Sequence, residues 1–312
     1  MNEFELIAKF APTLPTNDQV VRGAGDDCAV LDLGIKDQLI LFKTDAVVED
    51  VHFTNEIPAE KVGRKALARV LSDVAAAAGK PTSCLVTIGL PKNFDPDYVF
   101  SFYKGLNALA REHDISVSGG ETTRTTGPIF VSIALLGTVP RNRVITRAGA
   151  KSGDAIFVSG ELGDSISGKH LEFEPRLKEA QWLAENFTVH AMMDLSDGIA
   201  GDLRHILNAS KVGAELFSEA IPITRSAKLK AKFESSAKPP LLAALTDGED
   251  YELIFTVSSK LAVTVLDGWK ANFPKTKLSC IGKIVSQPGL RLRDKLGIRE
   301  LPKHGYTHFE KS

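Results

Sequence analysis

With 312 residues the chain has room for about two domains. Its 39 acids and 38 bases leave a formal net charge of −1, so no broad positive field exists to hold a nucleic-acid backbone; 43% hydrophobic and 25% charged residues exclude disorder for the bulk of the chain. No apolar run reaches the roughly 18 residues that a membrane span needs, and the opening Met1-Asn2-Glu3-Phe4-Glu5 has no basic region ahead of an apolar stretch, which argues against a signal peptide. Cys28, Cys84 and Cys280 lie too far apart in sequence to suggest a disulfide framework or a paired-cysteine metal site, so a reducing, cytoplasmic setting is expected.

Short β-like runs alternate with helical ones, without low-complexity tracts, which predicts an α/β or α+β body. Gln38 to Phe42 is an apolar run leading into Lys43-Thr44-Asp45, which places Asp45 just past a strand end. Residues 60–78 carry Val62, Leu67, Val70, Leu71 and Val74 at helical spacing before Gly79-Lys80-Pro81 stops them. A strand is expected over 83–90, a second helix over 96–113 through Val99, Phe102, Tyr103, Leu106, Leu109 and Ala110, and a further strand over 129–136. A boundary is expected near Arg147 to Gly153, ahead of a fresh strand at 154–159. Helices are then predicted over 174–185 and 198–210, with extended runs at 251–257 and 278–285. Residues 286–299 form a mixed basic stretch before an unusually aromatic tail, Gly305-Tyr306-Thr307-His308-Phe309.

The placing of the acids is the informative feature. Asp26 and Asp27 follow Gly25, Asp45 ends a strand, Asp73 interrupts an apolar helix face, Glu121 follows Gly119-Gly120, and Asp194 and Asp197 flank Leu195-Ser196. An unpaired carboxylate in such surroundings costs several kcal/mol, and few lysines or arginines lie near these positions in sequence. Divalent metal is a natural counter-charge, and carboxylate oxygen suits hard Mg²⁺. Single acids also have plainer readings: Asp26 or Asp27 as a turn residue, Asp194 or Asp197 as the N-cap of the helix that follows. Asp73, in mid-helix, caps nothing. No P-loop, GxGxxG or protein-kinase motif set is present, and no serine sits in a GxSxG elbow. Cys28 lies beside Asp27, which disfavours a thiolate, and reads as a small packed residue.

Taken together, the motifs resemble one family. Gly25-Asp26-Asp27-Cys28-Ala29-Val30-Leu31, Thr44-Asp45, Glu49-Asp50-Val51-His52-Phe53, Lys65-Ala66-Leu67 with Leu71-Ser72-Asp73, and Gly119-Gly120-Glu121-Thr122-Thr123-Arg124 occur in the order seen in thiamine-monophosphate kinases. Thr146-Arg147-Ala148-Gly149-Ala150, Leu162-Gly163-Asp164-Ser165, Met193-Asp194-Leu195-Ser196-Asp197-Gly198, Gly248-Glu249-Asp250-Tyr251-Glu252-Leu253 and the aromatic tail continue the likeness over nearly the whole chain. The resemblance implies a two-domain fold like that of aminoimidazole-ribonucleotide synthetase. An N-terminal α/β domain for ATP and metal (1–148) is followed by a C-terminal α+β domain (149–312), with N-terminal sheets pairing across a homodimer.

It further implies transfer of the γ-phosphoryl group of ATP to thiamine monophosphate, giving thiamine diphosphate, with several Mg²⁺ ions and no protein nucleophile. The family's metal positions fall on Asp27, Thr44, Asp45, Asp73, Glu121, Asp194 and Asp197; its ATP contacts on Tyr103, Gly120, Glu121, Arg147 and Ser196; its substrate contacts on His52, Glu249 and Tyr306. Core packing competes with ATP contact for Tyr103, and a plain surface histidine competes for His52. Two positions depart from the family pattern. Glu121 replaces an Asp, and Lys43 replaces a small hydroxyl residue, either supplying one metal's charge or pointing away along the strand. The rival readings are another ATP-dependent enzyme of the same superfamily and a catalytically silent metabolite-binding relative. The cysteine-bearing loop or tail that would mark such rival enzymes is not found.

Overall fold

The computed structural model describes residues 3–301, which divide into two compact units: 18–144 with 170–178, and the remainder. Tyr306 lies outside the described residues.

After a short helix α1 (Glu3–Phe10), the first unit is built on a six-stranded sheet of β1 (Val20–Arg22), β2 (Ala29–Leu31), β3 (Gln38–Val48), β4 (Lys80–Leu90), β5 (Ser116–Arg124) and β6 (Phe130–Pro140). The strand order is β1-β2-β3-β6-β4-β5, with β4 and β5 parallel and the other pairs antiparallel. Helices α2 (Ala59–Ala76) and α3 (Pro96–Glu112) follow the predicted periodicities: Val62, Leu67, Val70, Leu71 and Val74 are fully buried, as are Phe102 and Leu106. The two helices touch backbone to backbone through glycine. A Cβ on Gly63 would sit 1.9 Å from the Phe102 carbonyl oxygen, and one on Gly105 would sit 1.8 Å from that of Glu60.

Strand β3 is longer than its apolar pattern suggested. It continues through Lys43-Thr44-Asp45 to Val48 because β6 pairs with it over the full length, Asp45 opposite Ile133, so Asp45 lies inside the strand and not beyond it. Alternation puts Leu39, Leu41, Lys43, Asp45 and Val47 on the face that α2 covers. The opposite face carries Phe42, Leu85, Phe130 and Leu136, all at least 37% exposed.

The second unit holds a seven-stranded sheet, β13-β12-β9-β11-β7-β10-β8. Its elements in chain order are β7 (Asp154–Ser159), α4 (Lys169–Glu172) and α5 (Leu177–Asn186), where the chain passes between units, β8 (Val189–Asp194), α6 (Ile199–Ser210), β9 (Gly213–Phe217), α7 (Arg225–Phe233), α8 (Pro240–Thr246), β10 (Leu253–Ser258), α9 (Ala262–Asn272), β11 (Leu278–Val285), β12 (Gly289–Asp294) and β13 (Gly297–Glu300). Strand β7 is buried along its whole length, with the apolar run Ala155 to Val158 set between the buried polar residues Asp154 and Ser159. Ile156 and Val158 join a core with Met193, Leu203 and Ile206, while Phe157 stacks on Phe255 at 5.4 Å. The basic stretch 286–299 turns out to be mostly sheet, β12 and β13. Its arginines obscured an alternation in which Leu290 and Leu292 are buried.

Candidate active site

In the first unit, charge gathers where α2 crosses β3. Lys65, Arg69 and Asp73 recur at intervals of four, on one face of the helix. Lys65 is fully buried and donates to the His52 carbonyl oxygen at 2.6 Å. The Arg69 Nε donates to Asp45 Oδ2 at 3.0 Å, and Lys43 Nζ donates to Asp73 Oδ1 at 2.9 Å. Lys43 thus turns to the acids and does not point away along the strand. Burial works against its charge, but Asp73 and Asp45 outweigh that and hold the ammonium above its ordinary range. The sequence expectation of few cations near the acids is corrected here: pairing across β3 and α2 brings together residues 24 and 30 positions apart.

A further buried acid stands close to Asp73. Asp27, 4% exposed in the turn before β2, and Asp73, 8% exposed, have carboxylate oxygens within 4.8 Å of each other. Two such charges repel by about 4 kcal/mol at 4 Å with an effective dielectric near 20. Two buried all-oxygen ligands at that separation fit a hard divalent ion held between them. Cys28, next in sequence, is 2% exposed and packed, as expected.

The other first-unit positions are spread more widely. Thr44 faces away from these acids: its hydroxyl pairs with Ser132 Oγ at 3.1 Å on the opposite sheet face. Gly120 and Glu121 lie on the edge strand β5, in a segment whose glycines and polar residues hid the strand from the sequence reading. Gly120 has φ 152°, and a Cβ there would meet the Val86 carbonyl oxygen at 1.8 Å, so the close approach to β4 requires glycine. Glu121 is exposed, and it forms no trio with Asp27 and Asp73 within 4.8 Å among the described residues. Tyr103 stands at the edge of the α3 core stripe, half-buried, with its ring perpendicular to that of Phe102 at 5.5 Å. The His52 Nδ1 accepts from the Val48 amide at 3.0 Å, which orients the ring.

In the second unit, β8 delivers Asp194, 4% exposed, to the loop Leu195-Ser196-Asp197 ahead of α6. Gly198, with no side-chain cap, begins that helix, so neither Asp194 nor Asp197 is its N-cap. Instead the Asp197 amide donates to Asp202 Oδ2 at 2.9 Å. Asp202 is 1% exposed; burial raises its pKa well above the ordinary range, and the nearby Asp197 and Asp194 charges add to that while Arg147 opposes it. Asp202 was not among the sequence candidates, although Asp194, Asp197 and Asp202 sit in one motif and one helical turn. Arg147, half-buried, lies within electrostatic reach of this acidic group.

Glu249 belongs to a segment folded against the same loop. Its amide donates to the Ser196 carbonyl at 2.7 Å, and the amide of Tyr251 donates to that of Leu195 at 2.8 Å. Glu249 and Tyr251 both have positive φ, 65° and 51°, a conformation costing about 1 kcal/mol or more for residues other than glycine. Strain of this kind persists where surrounding contacts over-determine it.

A further trio, Glu112, His113 and Glu174, brings ligand atoms within 4.8 Å in the first unit, but the two glutamates are exposed and Arg64 already pairs with Glu174.

Comparison with known proteins places these features. Family models for the AIR synthase related protein match in two parts, the N-terminal domain over residues 25–139 and the C-terminal domain over 148–295. The fold class is therefore that of the AIR-synthase-like proteins, with two mixed sheets. A curated thiamine-monophosphate kinase of Rhodopirellula baltica is 38% identical over 301 residues, covering 94% of this chain and 92% of the relative. That of Escherichia coli is 35% identical over 277 residues, covering 82% of each. Among solved structures, AaThiL complexed with AMPPCP and TMP matches with a TM-score of 0.84 at 29% identity, covering 99% of this chain and 97% of that one. The chain belongs to the thiamine-monophosphate kinase family. Escherichia coli HypE, at 21% identity and a TM-score of 0.74 with 98% of each chain covered, shares the fold alone.

Proposed function

We propose that this protein is a phosphotransferase that moves the γ-phosphoryl group of ATP onto thiamine monophosphate, releasing ADP and thiamine diphosphate. The observation that carries the reading is the buried Asp27 and Asp73 pair, in a chain alike along its length to thiamine-monophosphate kinases. The acceptor is a phosphate monoester, close to a dianion at neutral pH, so its oxygen attacks without a protein base. A bond forms from that oxygen to the γ-phosphorus, and the bond to the β–γ bridging oxygen breaks, leaving ADP. What the reaction needs is charge neutralisation and alignment, which suits a site rich in carboxylates.

The residues proposed to hold Mg²⁺ are Asp27, Asp45, Asp73 and Glu121 in the first unit and Asp194 and Asp197 in the second. Thr44 would contribute its main-chain oxygen, because its hydroxyl is engaged with Ser132. Bound Mg²⁺ would screen the phosphate oxygens of both reactants and the charge spread over the transferring group. Arg147 offers a planar fork for two phosphate oxygens, and Tyr103, Gly120, Glu121 and Ser196 are assigned to ATP. His52, Glu249 and Tyr306 are assigned to thiamine monophosphate, Tyr306 as an aromatic face for the cationic thiazolium.

The division of labour proposed is an ATP and metal domain over 1–148, completed by 149–312. The exposed face bearing Phe42, Leu85, Phe130 and Leu136 supports pairing of two copies as a homodimer. Among the described residues no helix is long and apolar enough to cross a membrane, and the proposed setting is the cytoplasm. The test is a single assay with ATP, thiamine monophosphate and MgCl₂. Equal amounts of ADP and thiamine diphosphate are expected; binding of both ligands without product would refute the reading.

A further inference from the structure

Two carboxylates in the second unit, Asp250 and Glu252, are each 1% exposed and take no part in the reaction described above. Both lie beside Lys169, whose Nζ is 3.0 Å from Glu252 Oε1 and 3.6 Å from Asp250 Oδ1, and which also donates to the Glu161 carbonyl at 2.8 Å. The Gly163 amide donates to both Asp250 oxygens, at 3.2 and 3.0 Å, and Ser159 Oγ donates to Glu252 Oε2 at 2.7 Å. These two acids alternate along the chain with the two residues of positive φ, Glu249 and Tyr251. The segment is therefore gripped on one side by the 159–169 region, where Ser165 Oγ also donates to the Glu249 carbonyl at 2.7 Å. On the other side it is tied to the 195–196 loop by three main-chain bonds, from the amides of Glu249, Tyr251 and Leu195, the last accepted by the Glu252 carbonyl at 2.8 Å.

We infer that Lys169, with Asp250 and Glu252, is a positioning cluster that fixes the strained turn carrying Glu249 and so sets the affinity for thiamine monophosphate. The inference rests on the function proposed above and on Glu249 as a contact to that substrate. Lys169 supplies the charge that lets two neighbouring acids stay buried; without it the turn loses the anchor that holds Glu249 and Tyr251 in their left-handed conformation. The ATP side is less exposed to this loss. Asp197 keeps its bond to Asp202, and the loop remains suspended between β8 and α6.

The experiment is steady-state kinetics of the full-length protein, with each substrate varied in turn. In Lys169→Gln the KM for thiamine monophosphate is expected to rise about tenfold, while the KM for ATP stays within about twofold and kcat within about threefold. Lys169→Arg should restore most of the affinity, since the guanidinium can serve both carboxylates. Ser159→Ala removes a bond to Glu252 without touching the charges, and should give a smaller rise confined to the same KM. Equal rises in both KM values, or no change in that for thiamine monophosphate in either variant, would overturn the inference. Should Lys169→Gln not fold, Ser159→Ala decides. A wild-type protein that makes no thiamine diphosphate would instead remove the functional reading, and the inference with it.

Discussion

Asp250 illustrates how a single side chain can shape the pH response of the whole protein. Burial is the largest influence on it and pushes its carboxyl up to about 7, against the pull of Lys169 and the Gly163 amide. The folded state therefore keeps a proton that the unfolded chain gives up from about pH 3.8, so the stability linked to this group is full below that pH and is lost as pH rises through about 7. The urea midpoint of the wild type should fall across that window, and Asp250→Asn should flatten the fall; parallel pH profiles would show that the group is not responsible. The residues proposed to carry chemistry were only partly visible in sequence at this scale. Asp27, Asp73, Asp194 and Asp197 stood out because acids in apolar surroundings need a reason. Lys65 and Arg69 left a readable trace, charge recurring every fourth residue on an otherwise buried helix, and Asp202 followed its partners by five and eight positions.

At the scale of the element, α2 and α3 show what the apolar period can and cannot convey. It located both helices to within about two residues, as expected where a long stripe is buried. It did not convey how closely they cross, which is set by two glycines with no apolar signature. Gly63→Ala should lower the free energy of unfolding by about 2 kcal/mol or more, because the added Cβ meets backbone that cannot swing aside. Chemical denaturation measures this directly, and a variant as stable as the wild type would mean that the helices separate without cost. The strands taught the opposite lesson. β3 outran its apolar run, and β5 and β12 lacked one, because pairing partners rather than local propensity extended them.

For the molecule as a whole, the first sheet presents one face to α2 and the other, apolar one to solvent. Phe42 and Leu136 are cross-strand neighbours on that exposed face, so a charge placed there meets whatever covers it. If two copies pair through this face, Phe42→Glu should convert a dimer of about twice 33.7 kDa into a monomer in sedimentation, with the fold intact by circular dichroism. A wild type that sediments as a monomer would refute the pairing. The sequence by itself determined the alternation of helix and strand, and the family through motifs spread over nearly the whole chain. Only the tertiary structure decided that Lys43 turns to Asp73, that Thr44 turns its hydroxyl away, and that Lys169 serves two buried acids. The physical reason is that burial patterns and motif order are written along the chain, whereas the partner of a buried charge is set by strand register and helix crossing, which depend on all the contacts at once.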